Sequence, residues 1–194
     1  MDMKEKLFQK YPNLSHLGIV HKSTKDLNQV LRKYRNEKLL VLMVGVQGSG
    51  KTTFVKRYLS NYEPIILDAL LEEFLHENQN AQLSFEQIDQ KVMNIFFAKI
   101  CESLENKKIA IVDSGAIDFS FRISALLTLK EEYTKVILLV LNPPIKTIEN
   151  QIKKEIHKRV RPNLWEDVRR EYAFLQAQIR EHYIEIGVDE VYML

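Results

Sequence analysis

One octapeptide restricts the fold of this 194-residue chain more than any other feature of its sequence. An apolar run at residues 39–44 leads directly into residues 45–52, which follow the pattern G-x-x-x-x-G-K-[ST]. Three of the chain's six glycines, Gly45, Gly48 and Gly50, lie in this window. A buried strand that turns sharply into a helix, with backbone N–H groups converging on an anion, requires glycine at such positions. The octapeptide therefore predicts a phosphate-binding loop between a strand and a helix.

The residue types in this loop predict which phosphates it binds. A lysine at the position of Lys51 reaches the β- and γ-phosphates of a nucleoside triphosphate, and a hydroxyl at Thr52 coordinates Mg²⁺. Backbone N–H groups supply the other contacts. The residues expected to bind the nucleotide are Gly45, Gln47, Gly48, Ser49, Gly50, Lys51, Thr52 and Thr53. We therefore expect ATP as the nucleotide and Mg²⁺ as its cofactor.

Short β-branched runs alternate with longer helical patterns along the chain, which is typical of a mostly parallel sheet covered by helices. The nearly continuous apolar character of these runs suits strands that are buried on both faces. The predicted strands are residues 39–44, 64–67, 109–112, 136–141 and 191–194. We expect an α/β chain with a three-layer α/β/α P-loop NTPase fold and a five-stranded, mostly parallel sheet.

The segments around these strands indicate the domain organisation. Ser84 with Gln87 has the pattern of a capping box, and Asp118 is expected to cap a further helix. Residues 1–38 precede the first predicted strand and are expected to form a helical N-terminal extension. Residues 39–194 then form the P-loop domain.

Composition excludes several other classes of protein. The net charge of +2 gives no field of one sign that would indicate a nucleic-acid or membrane-surface partner. The N-terminus has no apolar signal region, and no apolar run reaches the roughly 20 residues of a membrane span. The single cysteine, Cys101, favours a reducing compartment, and the histidines show no zinc-ligand spacing. We expect a cytoplasmic chain with no membrane partner.

Two predicted strands end in aspartate, at Asp68 and Asp113. Ligands of open α/β sheets bind at the carboxyl ends of the strands, where both side chains should project. Asp113 is expected to support Mg²⁺, although an aspartate after a strand is also a common turn or helix cap. Asp68 is expected to accept the proton of an acceptor hydroxyl during phosphoryl transfer, and its alternative role is to cap the helix that follows.

This succession of motifs resembles the polynucleotide-kinase-like P-loop kinases, a group that includes the zeta-toxin kinases. The resemblance rests on the phosphate loop, the strand ending in Asp68, the helix capped by Ser84, and the strand ending in Asp113 with Arg122 after it. It covers residues 39–194. The resemblance implies that Asp68 activates the acceptor hydroxyl and that Arg122 contacts substrate or phosphate.

The resemblance also implies a lid whose arginines close over the γ-phosphate. Here the lid falls at about residues 146–165, and its arginines are Arg159 and Arg161. Planar guanidinium groups suit the charge that spreads over a transferred phosphoryl group. A basic run on a helix is otherwise usually a solvated face. We expect at least one of the two arginines to act in catalysis, together with Lys51.

Two departures from the family's pattern concern the acceptor. Leu71 stands where the family often has an arginine that holds an acceptor phosphate, and Ser114, Gly115 and Ala116 replace the usual Ala-Thr-Asn after the third-strand aspartate. The acceptor hydroxyl therefore stays open among a nucleoside, a nucleotide, a sugar and a polynucleotide 5′-end. Nucleic acid is expected only as such an acceptor.

The sequence thus favours an ATP-dependent kinase, a phosphotransferase with an alcohol-group acceptor. The alternative is a nucleotide-dependent switch or NTPase module that acts through a protein partner, since residues 1–38 add surface to the domain. A switch has no need of a hydroxyl-activating base at Asp68, which favours the kinase. A relative that binds nucleotide but has lost catalysis is a third possibility, because the acceptor-side arginine is missing.

Overall fold

The computed structural model describes residues 2–22, 26–155 and 164–194. The strands are Ile19–His21 (β1), Leu39–Val44 (β2), Ile65–Ile66 (β3), Ile109–Asp113 (β4), Lys135–Val140 (β5) and Glu190–Met193 (β6). The helices are Met3–Lys10 (α1), Leu27–Lys33 (α2), Lys51–Tyr58 (α3), Leu67–Glu77 (α4), Phe85–Lys107 (α5), Phe119–Thr128 (α6), Ile145–Glu155 (α7) and Leu164–Arg180 (α8). None of the helices in the described ranges is long and apolar enough to span a membrane.

The strands form one parallel sheet in the order β1-β6-β5-β2-β4-β3. Because all strands run the same way, their carboxyl ends meet at one edge of the sheet. β2 lies inside the sheet between β4 and β5, with Met43 paired with Asp113 and Val44 paired with Val140. The loop that follows β2 therefore emerges beside the ends of both neighbouring strands.

The sheet has helices on both faces, which confirms the expected three-layer α/β/α fold. Along β2 the side chains alternate between two buried clusters, one on each face. On one face Leu40 and Leu42 belong to a cluster with residues of α5, α6 and α8, among them Phe96, Leu126 and Leu175. On the other face Leu39, Val41 and Met43 belong to a cluster with residues of α2 and α3, among them Leu31 and Val55.

The sheet has six strands in the described residues, so the expected number of five was wrong. The additional strand is β1, which lies within the N-terminal segment and pairs with β6 through Ile19 and Glu190. Residues 1–38 therefore contain a strand as well as the expected helices α1 and α2. β1 is a strand of three residues at the edge of the sheet, and its Ile19 and Val20 side chains are exposed. It was not predicted because it lacks the continuous apolar run of a strand that is buried on both faces.

The helix caps agree with the sequence. Ser84 and Gln87 form both halves of the expected capping box at the start of α5, and Asp118 accepts a hydrogen bond from the Ser120 N–H at the start of α6. These local hydrogen bonds satisfy N–H groups that have no partner inside the helix. They define where α5 and α6 begin on either side of β4.

A buried carboxylate fastens the N-terminal segment to the sheet. Glu190 of β6 accepts hydrogen bonds from Lys33, Tyr34 and Tyr192, and its Oε2 lies 3.3 Å from His21 Nε2. Burial by itself raises the pKa of Glu190, but the donors, with Lys33 first, outweigh it and lower the pKa to about 2. The ionised form of Glu190 therefore ties α2 and β1 to the last strand.

Candidate phosphate-binding site

The phosphate loop has the geometry that its glycines predicted. Gly50 stands at the N-cap of α3 with φ of 91°, a left-handed conformation that glycine adopts without strain. No described side chain caps this helix, so its first N–H groups are available to an anion. At Gly45 an added Cβ atom would lie 2.6 Å from the Leu141 carbonyl oxygen, so only glycine permits this approach between the loop and the end of β5.

Lys51 lies within the phosphate loop, and its side chain is buried. Its Nζ donates to the Gly45 carbonyl at 2.6 Å and to the Val46 carbonyl at 3.0 Å. Burial lowers the pKa of Lys51, whereas the negative charges of Asp113, Glu171 and Asp68 act in the opposite direction. The ammonium is thus held in place by backbone carbonyls and lies in the field of three carboxylates.

Thr52 and Asp113, the two predicted Mg²⁺ residues, meet directly. The Thr52 Oγ1 hydroxyl donates to Asp113 Oδ2 at 2.7 Å, and Asp113 is buried at the end of β4. A hydroxyl and a carboxylate are the hard oxygen ligands that Mg²⁺ prefers. No group of three or more His, Cys, Asp or Glu side chains in the described ranges forms a metal site.

The loop also contains an unpaired polar atom. Ser49 Oγ is buried and has no hydrogen-bond partner among the described residues. A buried hydroxyl without a partner is costly, and a phosphate oxygen would satisfy it. The loop therefore fits a phosphate on three counts: an uncapped helix N-terminus, a buried ammonium and an unpaired hydroxyl.

Asp68 lies in the first turn of α4, two residues beyond the end of β3, and is exposed at the carboxyl edge of the sheet. The N-cap residue of α4 is Ile66, and no described side chain caps the helix. Helix capping by Asp68, the alternative role considered from the sequence, is therefore not observed. The carboxylate acts on Lys51 electrostatically, and its role as a base stays a prediction.

Arg122 is buried, and its hydrogen bonds hold the turn after β4. Its guanidinium donates to the carbonyls of Ala116 at 2.8 Å and Ile117 at 3.1 Å, and to Gln178 Oε1 of α8 at 2.6 Å. Burial lowers its pKa to about 10. These contacts give Arg122 a structural role, and its contact with substrate or phosphate stays a prediction.

The two lid arginines, Arg159 and Arg161, lie outside the described residues, as does part of the lid at about residues 146–165. The flanking helix α7 is described as far as Glu155, and α8 begins at Leu164. The catalytic role of the lid arginines stays a prediction.

Glu171 of α8 is a member of the site that sequence reasoning missed. Its Oε2 accepts a hydrogen bond from the Gln47 N–H at 3.2 Å, and its charge acts on Lys51. Its spacing in the sequence could have indicated this, because Glu171 stands three residues after Val168 and four before Leu175, on the apolar side of α8. A carboxylate at such a position needs a polar partner, which the phosphate loop provides.

Comparison with known families agrees with this geometry. Residues 40–177, more than half of the chain, match the model of the AAA domain family AAA_33. The chain belongs to this family. The AAA_33 match begins inside β2 and includes the phosphate loop, Asp68, Asp113 and most of α8. No curated protein matches the chain at a significant level.

Solved structures show the fold that this AAA_33 chain shares. A chain in the structure of the Pnkp1/Rnl/Hen1 RNA repair complex is 19% identical over 74% of this chain, with a TM-score of 0.59. The match spans only 45% of that longer chain. A protein assigned as a kinase from Chloroflexus aurantiacus is 11% identical over 80% of this chain and 84% of its own, with a TM-score of 0.58. The resemblance to polynucleotide-kinase-like P-loop kinases is thus confirmed at the level of the fold.

Proposed function

We propose that the chain is an ATP-dependent kinase that transfers the γ-phosphate to a hydroxyl group of its acceptor. The observation that carries this proposal is the direct contact between Thr52 and Asp113 beside a phosphate loop with a buried lysine. The kinase-type fold and membership of the AAA_33 family support it.

The residues of the loop divide the work of binding the donor nucleotide. Backbone N–H groups at the start of α3 and the Lys51 ammonium would hold the phosphates and neutralise their charge. Thr52 and Asp113 would hold Mg²⁺, which would supply positive charge that offsets the negative charge of the phosphates. Most of the catalysis would then come from positioning and electrostatic stabilisation.

Asp68 is proposed as the base for the acceptor. As the acceptor oxygen forms its bond to the γ-phosphorus, the bond from that phosphorus to the ADP oxygen breaks and the acceptor proton passes to the Asp68 carboxylate. Its exposed position at the carboxyl edge of the sheet leaves room for a hydroxyl to approach. Arg122 and the lid arginines Arg159 and Arg161 are proposed to assist, as the family resemblance implies.

The acceptor is proposed as a nucleoside, a nucleotide, a sugar or a polynucleotide 5′-end. One experiment tests this choice: incubation with γ-labelled ATP and a panel drawn from these four classes, followed by separation of the products. Label transferred to a hydroxyl of one class supports the kinase. Release of phosphate with no labelled acceptor in any pool contradicts it and favours the nucleotide-dependent switch.

The Asp68→Asn variant tests the assignment of the base. We expect it to bind ATP nearly as well as the parent chain and to lose transfer by about 100-fold or more, the usual range for removing a general base. Asp89→Asn is the matched control, since Asp89 is an exposed aspartate on α5. Undiminished transfer by the Asp68 variant would show that another group accepts the proton.

A further inference from the structure

The phosphate loop already makes a hydrogen bond to an anion of its own chain. The N–H of Gln47, the third residue of the loop, donates to Glu171 Oε2 at 3.2 Å. Glu171 is half-buried on α8, far from the loop in sequence but packed against it in space. The same N–H belongs to the set that the loop motif presents to phosphate.

The charge of Glu171 also acts at the phosphate-binding end of Lys51. Its carboxylate, with those of Asp113 and Asp68, favours the charged form of the ammonium. In phosphate loops this lysine reaches the β- and γ-phosphates, so Glu171 lies at the end of the loop where the terminal phosphates belong. A carboxylate and a phosphate at this place repel each other and compete for the same donors.

We propose that Glu171 is an intramolecular anion that competes with the terminal phosphates of the nucleotide for the Gln47 N–H and the field of Lys51. The proposal rests on the proposed nucleotide-binding function and adds to it. A nucleotide that uses the Gln47 N–H must displace the Glu171 carboxylate, so Glu171 sets the affinity of the loop for the nucleotide. It also sets how strongly the loop distinguishes a triphosphate from a diphosphate.

The same helix contacts two further loops at this edge of the sheet. Gln176 Nε2 donates to Asn142 Oδ1 after β5 at 2.7 Å, and Gln178 Nε2 donates to the Ile117 carbonyl after β4 at 2.8 Å. Displacement of Glu171 therefore acts on a helix that also holds the turn beyond Asp113.

Isothermal titration of ATP and ADP into three variants tests the proposal. Glu171→Gln removes the charge and keeps an acceptor oxygen, Glu171→Ala removes both, and Glu171→Asp keeps the charge on a side chain one methylene shorter. We expect Glu171→Gln to bind ATP about tenfold more tightly than the parent, the size of one hydrogen bond to a charged group. The gain in affinity for ADP should be smaller, because ADP lacks the γ-phosphate.

Glu171→Ala should bind ATP at least as tightly as Glu171→Gln, and Glu171→Asp should stay close to the parent. Glu166→Gln is the matched control, since it removes one negative charge from an exposed position of α8 and should leave both affinities unchanged. Thermal melting of each variant shows that it is folded, and the conservative Gln and Asp variants remain informative if the alanine variant is not.

The outcomes separate this proposal from the function on which it rests. Equal or weaker ATP binding by Glu171→Gln, or an equal gain in Glu166→Gln, overturns the role of Glu171 and leaves the nucleotide site standing. An equal gain for ATP and ADP also overturns it, since competition is then not with the terminal phosphate. Failure of the parent chain to bind either nucleotide overturns the nucleotide site and this proposal together.

Discussion

Replacing Arg122 with methionine should destabilise the chain by about 2 kcal/mol, and the magnitude follows from its contacts. The guanidinium donates to the Ala116 carbonyl and to Gln178 Oε1, whereas the Ile117 carbonyl keeps a second donor in Gln178 Nε2. Two buried acceptors thus lose their partner, at about 2 kcal/mol each. The guanidinium also lies 5.7 Å from the centre of the Phe119 ring, a contact worth about 1 kcal/mol.

An opposing effect reduces this loss. Burial lowers the pKa of Arg122 from its ordinary value to about 10, so the folded chain carries a cost of about 3 kcal/mol for holding this charge away from water. Methionine fills much of the same volume and removes that cost. The balance of the lost contacts and the relieved burial is a net destabilisation of about 2 kcal/mol.

Urea unfolding of the parent and the variant measures this difference directly. Arg180→Met is the matched control, because Arg180 is exposed at the end of α8 and its replacement should change stability by less than about 0.5 kcal/mol. An Arg122→Met variant as stable as the parent would refute the structural role. If that equally stable variant had also lost phosphoryl transfer, a contact of Arg122 with substrate or phosphate would be the correct interpretation.

Two further predictions concern carboxylates. Glu190→Gln should lower the free energy of unfolding by about 3 kcal/mol at neutral pH, because the pKa of Glu190 in the folded chain, about 2, lies below the ordinary 4.5. The stability that the ionised carboxylate contributes is present above pH 4.5 and is lost as the pH falls toward 2. Unfolding free energies measured across that range should fall steeply for the parent and less for the variant, and equal slopes would contradict the account. Asp113→Asn should keep an acceptor for Thr52 but weaken the Mg²⁺-dependent part of ATP binding by about 10-fold or more, as titration with and without Mg²⁺ would show. An unchanged dependence on Mg²⁺ would place the metal elsewhere.

Local features of this chain could be predicted from its sequence because they are encoded over a few neighbouring residues. The phosphate loop at residues 45–52 and the caps at Ser84 and Asp118 lie where they were expected. The alternation of apolar runs and helical patterns was sufficient to predict the three-layer fold. Asp113 was also correctly placed, since an apolar strand that ends in aspartate projects it at the carboxyl edge of a parallel sheet.

Features that depend on tertiary contact could not be predicted in the same way. β1 is a short strand on the edge of the sheet, and its exposed Ile19 and Val20 carry no burial pattern. The burial of Arg122 depends on Gln178, which is 56 residues further along the chain. The contact of Glu171 with Gln47 spans 124 residues, so no local spacing relates the two.

The most direct test of the central claim is ATP binding by Lys51→Met in the presence of Mg²⁺. The parent chain should bind ATP, and the variant should bind it about 100-fold more weakly, because the buried ammonium of Lys51 is the group that we propose as the charged contact to the terminal phosphates. Lys56→Met, at an exposed position of the same helix, should bind like the parent. Equal ATP affinity in the parent and the Lys51 variant would contradict the assignment of this loop as the nucleotide site.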